Sequence, residues 1–234
     1  NPRIDKIICV SKAVQRDLES SGVDPKKLVT IYKGHDLAWY PQINRKKARA
    51  RLNQEFNIPD DAFIVGMAAN MRRVKGADLL LRALADLPNH IHVLLIGDRR
   101  DKEIDRLAAR PEISERVHLA GYRSDATELI GGFDLNCAPS RGREGLTKAV
   151  IEGMVQEVPA VVANAGGLPE LIENNLTGRV IEIDDVSALT KAITDLANDP
   201  AKLNSMGNLS RIKIRKRFSI VKTIQETNDL YASF

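Results

Sequence analysis

Cysteine is almost missing from this chain: among 234 residues there are only Cys9 and Cys137, each inside an apolar run with the character of a buried strand. Two thiols so placed give no disulfide framework, and a reducing cytosol fits such usage. Aromatic residues are few, five Phe, four Tyr and one Trp. That argues against a single-stranded nucleic-acid platform, which spends aromatic rings on stacked bases, so no nucleic-acid partner is expected. The longest apolar stretches, 91–97 and 158–163, fall far short of the roughly 20 residues of a membrane helix. Asn1 to Lys6 is polar and lacks a cleavage pattern, so no signal peptide is expected there. The expected location is cytoplasmic, at most peripheral on the inner face of the plasma membrane. There is no Asp-x-Asp motif and no cluster of His or Cys ligands, and neither a metal nor another cofactor is expected.

What remains is ordinary globular material, 43% hydrophobic and 28% charged, enough for a core. The net charge of +4 is unevenly spread. Residues 1–51 carry 12 Lys and Arg against 5 Asp and Glu, residues 52–210 carry 17 against 24, and residues 211–234 carry 6 against 2. The densest basic runs are Arg45, Lys46, Lys47, Arg49 and Arg51, and Arg211, Lys213, Arg215, Lys216 and Arg217. They read as solvated helix faces, with an anionic lipid surface or an acidic partner as the functional alternative.

Short β-rich apolar runs alternate with helical patterns, which is how a parallel sheet with crossover helices looks in sequence. Strands are expected near 5–10, 28–32, 63–69, 91–97, 117–120, 134–138, 159–163 and 179–182. Ser11 and Asn44 are positioned to cap helices, and Gly76 to open one that stops before Pro88. Shorter helices are expected at 101–110, 124–131, 145–156 and 167–174, and only helix after residue 182. The fold class is therefore α/β, a Rossmann-like parallel sheet of about six strands with helices on both faces and a helical C-terminus. The irregular segment 33–61 is the natural linker.

In an open parallel sheet, ligands bind beyond the carboxyl ends of the strands, where loops lead into helices. Asn70-Met71-Arg72-Arg73-Val74-Lys75-Gly76 sets three cations around a glycine, a composition suited to phosphate. Ser140-Arg141-Gly142-Arg143-Glu144-Gly145-Leu146-Thr147-Lys148 leads towards Glu152. On a continuous helix, Glu144 and Glu152 would lie about 12 Å apart. That is wide for a glycosidase pair and suits two contacts on one elongated ligand. The N–H groups of Gly145, Leu146 and Thr147 lie between them, so a diphosphate would sit there with a carboxylate on each side. The third loop, Asn164 to Glu170, contains Gly166-Gly167, by itself only a tight turn.

The stretch Ser140 to Glu152 resembles the Glu-x7-Glu signature of the family 4 ("group 1") glycosyltransferases, retaining enzymes of GT-B fold. Other segments fall in that family's order: Asp5 to Ser11, Gly34-His35-Asp36, Arg72 to Gly76, Leu94 to Asp98, His118 to Tyr122, and Pro159 to Gly178. The resemblance implies the C-terminal, donor-binding half of a GT-B enzyme. Residues 1–40 would be a remnant of the acceptor domain and linker, 41–217 the nucleotide-sugar domain, and 218–234 a crossover helix. It implies Glu144, Lys75 and Arg72 as catalytic residues. It implies Glu152, Gly145, Leu146, Thr147, Gly121, Tyr122 and Arg73 as donor-binding residues, with Glu152 on the ribose and the backbone of Gly121 and Tyr122 at the base.

The expected partners are a UDP-, GDP- or ADP-linked sugar, a saccharide or lipid-linked acceptor, and a second copy in a homodimer. This stretch alone is expected to bind nucleotide weakly and to transfer little sugar. The chain departs from the family pattern in four places. Asn70 stands where Gly-Arg is usual, leaving open whether Arg72 or Arg73 touches phosphate; Glu157 and Gly153 replace Gly and Ala; and Arg99-Arg100 follow Asp98. A non-catalytic nucleotide-sugar-binding module and a GT-B epimerase are the alternatives. The four histidines read as structural.

Overall fold

The computed structural model describes residues 3–142 and 144–234. Among these lie eight strands: β1 (Ile7–Cys9), β2 (Leu28–Thr30), β3 (Phe63–Ala68), β4 (Ile91–Ile96), β5 (Val117–Gly121), β6 (Leu135–Ala138), β7 (Ala160–Ala163) and β8 (Gly178–Ile181). β1 and β2 pair in parallel by themselves, and the other six form one parallel sheet in the order β5-β4-β3-β6-β7-β8. All eight expected strands form. Ten α-helices accompany them: α1 (Lys12–Ser20), α2 (Arg45–Phe56), α3 (Ala77–Ala85), α4 (Lys102–Ala108), α5 (Ala126–Ile130), α6 (Lys148–Val155), α7 (Leu168–Leu171), α8 (Val186–Ala197), α9 (Pro200–Arg217) and α10 (Ile220–Tyr231).

Strand residues alternate between two apolar layers because side chains switch face at every position. Val65, Met67, Val93, Leu95, Leu135 and Cys137 pack under α3, α4 and α8. Ile64, Leu94 and Ile96 face α2 and α5, and Ala160 and Val162 face α6, α7 and the end of α9. Each fully buried Leu or Ile contributes roughly 1.5–3 kcal/mol of transfer free energy. The caps form as expected, Ser11 accepting from Val14 N and Asn44 from Lys47 N. Asn57 ends α2 in the left-handed conformation at φ 52°.

Two helix boundaries differ from expectation. α6 starts at Lys148 rather than 145, because the Glu144 carbonyl accepts from Gly167 N (2.7 Å) and is committed outside any helix. α7 ends at Leu171 rather than 174, where Ile172 turns extended.

Glu170 fastens the β1–α1–β2 unit beside the sheet. Glu170, in α7, accepts from Lys12 N (3.0 Å) and Ala13 N (2.8 Å), satisfying the first turn of α1, and from the Tyr32 hydroxyl (2.7 Å). The chain after β2 is closed in by the α9–α10 junction, through His35 N to Phe218 O (2.7 Å) and Thr223 Oγ1 to Tyr32 O (2.7 Å). We expect Glu170→Ala to lower the unfolding free energy by about 1–3 kcal/mol, read from the denaturant midpoint, with Glu170→Gln costing less.

On the far side of the sheet, His92 and His118 stack with ring centroids 5.3 Å apart, and His92 Nδ1 lies 3.0 Å from His118 Nε2. That contact is a hydrogen bond only while one of the two nitrogens is unprotonated. Burial, reinforced by His92, lowers His118 from 6.5 to about 4. A depressed folded-state value means stability is present above pH 6.5 and is lost as pH falls from there towards about 4. The melting temperature should fall through that window, and His118→Gln should flatten the fall.

Candidate functional site

β3 and β6 are neighbours in the sheet, yet α3 follows β3 onto one face and α6 follows β6 onto the other. Their connecting loops must diverge at the carboxyl edge, and such a switch point leaves a crevice. Two of the loops singled out from the sequence line it.

The loop after β3 makes a short 3₁₀ turn over Arg73–Lys75 and reaches Gly76 at φ 74°, where a side chain would run into the Pro139 carbonyl. It is fastened to the loop after β6 by Arg141. The Arg141 backbone N donates to Val74 O (2.8 Å), and its guanidinium donates to Arg73 O (2.9 Å) and to both Asp78 oxygens (2.6 and 2.7 Å), with Asp184 as a further partner. Arg141 therefore joins the two loops through the Val74 and Arg73 carbonyls, with its charge met by Asp78 and Asp184. Arg72 and Arg73 are exposed, and among the described residues no carboxylate pairs with either. Arg143 lies outside the described residues.

Lys75 and Glu144, expected as separate contacts, are one ion pair: Lys75 Nζ sits 2.7 and 3.0 Å from the two Glu144 oxygens, and Thr147 Oγ1 donates to Oε2 (3.2 Å). Glu144 is only 9% exposed. Its backbone is cradled by Gly166 and Gly167, at both of which a Cβ would collide with residues 144–145. The paired glycines thus serve the approach of one loop to another. Among the described residues, the N–H groups of Gly145, Leu146 and Thr147 have no acceptor. They precede α6 rather than forming its first turn, so the 12 Å spacing drawn for a continuous helix does not apply. They still lie beside its positive end.

Glu152 is 6% exposed on α6. Its Oε1 accepts from Thr127 Oγ1 (2.7 Å) and lies 3.2 Å from Lys148 Nζ, while among the described residues no donor reaches Oε2. It lines a cavity of about 320 Å³ whose other walls include Lys33, His35, Trp39 and Tyr40 from the linker, Thr127 from α5, and Leu146 and Lys148. His35 Nδ1 and the Tyr40 hydroxyl are 2.5 Å apart. Burial and then the charge of Glu152 push Tyr40 up to about 12, so its hydroxyl keeps its proton. Burial lowers His35.

Gly121 ends β5 with φ 66°, and its carbonyl accepts from Gly97 N (2.7 Å). Tyr122 is 74% exposed, and neither residue lines the Glu152 cavity. The turn that follows is set by Arg123, paired with Asp125 and Glu55, and by Arg51 from α2, which also holds Asp125.

Sequence reasoning missed Thr127 and the linker wall. Thr127 carried no signal. The linker's signal was faint, an Asp36-capped turn ending in Trp39-Tyr40 before Pro41.

Half of the residues in the two basic runs end on carboxylates. Arg45 and Arg49 pair with Asp134, Arg51 with Asp125 and Glu128, Arg211 with Glu157, and Lys213 with Glu173. Among the described residues, no three His, Cys, Asp or Glu side chains converge as metal ligands would, and no helix is long and apolar enough to cross a membrane.

Residues 48–213 match the family described as Glycosyl transferases group 1. The chain is 28% identical over 200 residues to D-inositol 3-phosphate glycosyltransferase 1 of Catenulispora acidiphila, covering 79% of this chain and 47% of that protein. It is 25% identical over 235 residues to the UDP-Gal:alpha-D-GlcNAc-diphosphoundecaprenol alpha-1,3-galactosyltransferase of Escherichia coli, covering 97% and 57%. Among solved structures, Anabaena Alr3699/HepE in complex with UDP superposes with a TM-score of 0.91 at 25% identity, covering 98% of this chain and 64% of that one. Its complex with UDP-glucose gives 0.90 at the same identity and coverage. The chain spans about half the length of the curated relatives it matches.

Asp78→Ala should leave the Arg141 guanidinium to Asp184 and the Arg73 carbonyl and cost about 1–3 kcal/mol in chemical denaturation. Combined with Arg141→Ala, the loss should be less than the sum of the two single losses.

Proposed function

The chain belongs to the glycosyl transferases group 1 family, and on that premise we propose that it is the nucleotide-sugar donor-binding part of a retaining, metal-independent glycosyltransferase. The observation that carries this reading is at the β3–β6 switch point, where the Lys75–Glu144 pair is followed in the chain by three N–H groups that have no acceptor among the described residues. A diphosphate offers what those groups lack: anionic oxygens for Lys75, for Arg72 or Arg73, and for the backbone of Gly145, Leu146 and Thr147. Binding takes Lys75 partly away from Glu144, and the freed carboxylate oxygens then accept hydroxyl hydrogens of the donor sugar. Glu152 Oε2 accepts from the ribose, and the backbone of Gly121 and Tyr122 meets the base.

In the transfer step, the bond from the sugar's anomeric carbon to the diphosphate oxygen breaks, and the electron pair leaves with the diphosphate. Charge accumulates where Lys75 and the arginine stand, so their stabilisation grows towards the transition state. The acceptor hydroxyl attacks from the face that the phosphate leaves, its proton passing to the departing oxygen, and configuration is retained. Uridine nucleotides are the first choice of donor, supported by the UDP and UDP-glucose complexes of a neighbour at 25% identity. The acceptor, a saccharide or lipid-linked saccharide, is chosen by a facing domain, of which residues 1–40 supply the β1–α1–β2 edge. Residues 41–217 hold the donor and 218–234 form the crossover.

Titration calorimetry with UDP, GDP and ADP tests this reading. We expect one nucleotide to bind, and Lys75→Ala and Glu152→Ala each to weaken it at least tenfold. Little sugar transfer is expected from the 234-residue chain. Absence of nucleotide binding, or unchanged affinity in both variants, would overturn the donor-site assignment.

A further inference from the structure

The cavity holding Glu152 is not made by the sheet domain alone. One wall is Glu152, Lys148 and Thr127, and the opposite one is the linker, with His35 and Tyr40 inside and Trp39 at the rim, 60% exposed. Glu152 lines a cavity large enough for a small ligand, and among the described residues only its Oε1 meets a donor, so Oε2 is free to accept from one. His35 and Tyr40 bond to each other (2.5 Å), while Lys33 and Lys148 bring positive charge to the cavity walls. The chemistry that fits is a polyol ring with vicinal hydroxyls for the carboxylate, an apolar face for an indole and an attached anion.

We propose that the linker is a working wall of the nucleoside subsite: the ribose of the donor nucleotide lies between Glu152 and the Trp39 indole, with the His35–Tyr40 pair behind it. The proposal rests on the reading of Glu152 as the ribose ligand and adds that residues 33–41 touch the nucleotide. Donor binding then braces the segment that connects the β1–α1–β2 unit to the sheet. His35 and Tyr40 act as positioning residues, since their bond fixes the linker's approach to Glu152.

Trp39 is the only tryptophan in the chain, so its emission reports on this wall without interference. The 234-residue chain is titrated with UDP, uridine and inorganic pyrophosphate, following tryptophan fluorescence and calorimetry in parallel. UDP and uridine should change Trp39 emission along the calorimetric isotherm, whereas pyrophosphate, held by the Lys75 loop, should bind without changing it. Trp39→Ala should raise the Kd for UDP about fivefold and leave that for pyrophosphate unchanged, with Trp39→Phe recovering most of the loss. Tyr40→Phe should raise the Kd for UDP and uridine while leaving thermal unfolding and pyrophosphate binding at wild-type values.

If UDP binds calorimetrically and Glu152→Ala weakens it, but the emission is flat and Trp39→Ala binds like wild type, the linker wall is wrong and the donor site stands. If no nucleotide binds, both fall.

Discussion

One ion pair, half-buried Arg141 with buried Asp78, carries most of the site's architecture. β3 and β6 send their helices to opposite faces of the sheet, and nothing in the sheet's own hydrogen bonding holds the two departing loops at a set distance. The bidentate grip on Asp78 and the bonds from Arg141 to Val74 O and Arg73 O close that gap. Gly76 permits the closeness by carrying no side chain where the Pro139 carbonyl sits. Gly166 and Gly167 do the same for Glu144 from the neighbouring loop, so three strand ends converge on one short stretch of backbone.

That rigidity shapes the electrostatics. At rest, Lys75 and Glu144 neutralise each other in a partly dry crevice, while Arg72 and Arg73 stand exposed. An anion entering there finds cations and N–H groups already placed, and loop reorganisation costs it little. Glu152 is kept apart from this arrangement by its own partners, Thr127 and Lys148. Under the proposed reading, phosphate and ribose hydroxyls are met by separate groups.

The sheet was legible because β4, β6 and β7 are buried on both faces and read as apolar runs, as β4 does from Ile91 to Ile96. Helix caps were legible where a single Ser or Asn suffices, at Ser11 and Asn44. The start of α6 was not, because the partner that removes Glu144 from the helix is Gly167, distant in sequence. Nor does the sequence show that Arg141, set among other cations, is claimed in space by Asp78 and Asp184. The basic run of α2 looked like an open charged face, yet Arg45, Arg49 and Arg51 all end on carboxylates of later segments. Motif order identified the family, but charge pairing across the fold needed coordinates.

The central claim is that a nucleoside diphosphate occupies the β3–β6 crevice. A crystal structure of the chain with UDP tests it most directly. The account predicts phosphate oxygens within about 3 Å of Lys75 Nζ and of backbone N–H groups of residues 145–147, with ribose hydroxyls on Glu152. Density for UDP elsewhere, with the Lys75–Glu144 pair intact, would contradict it.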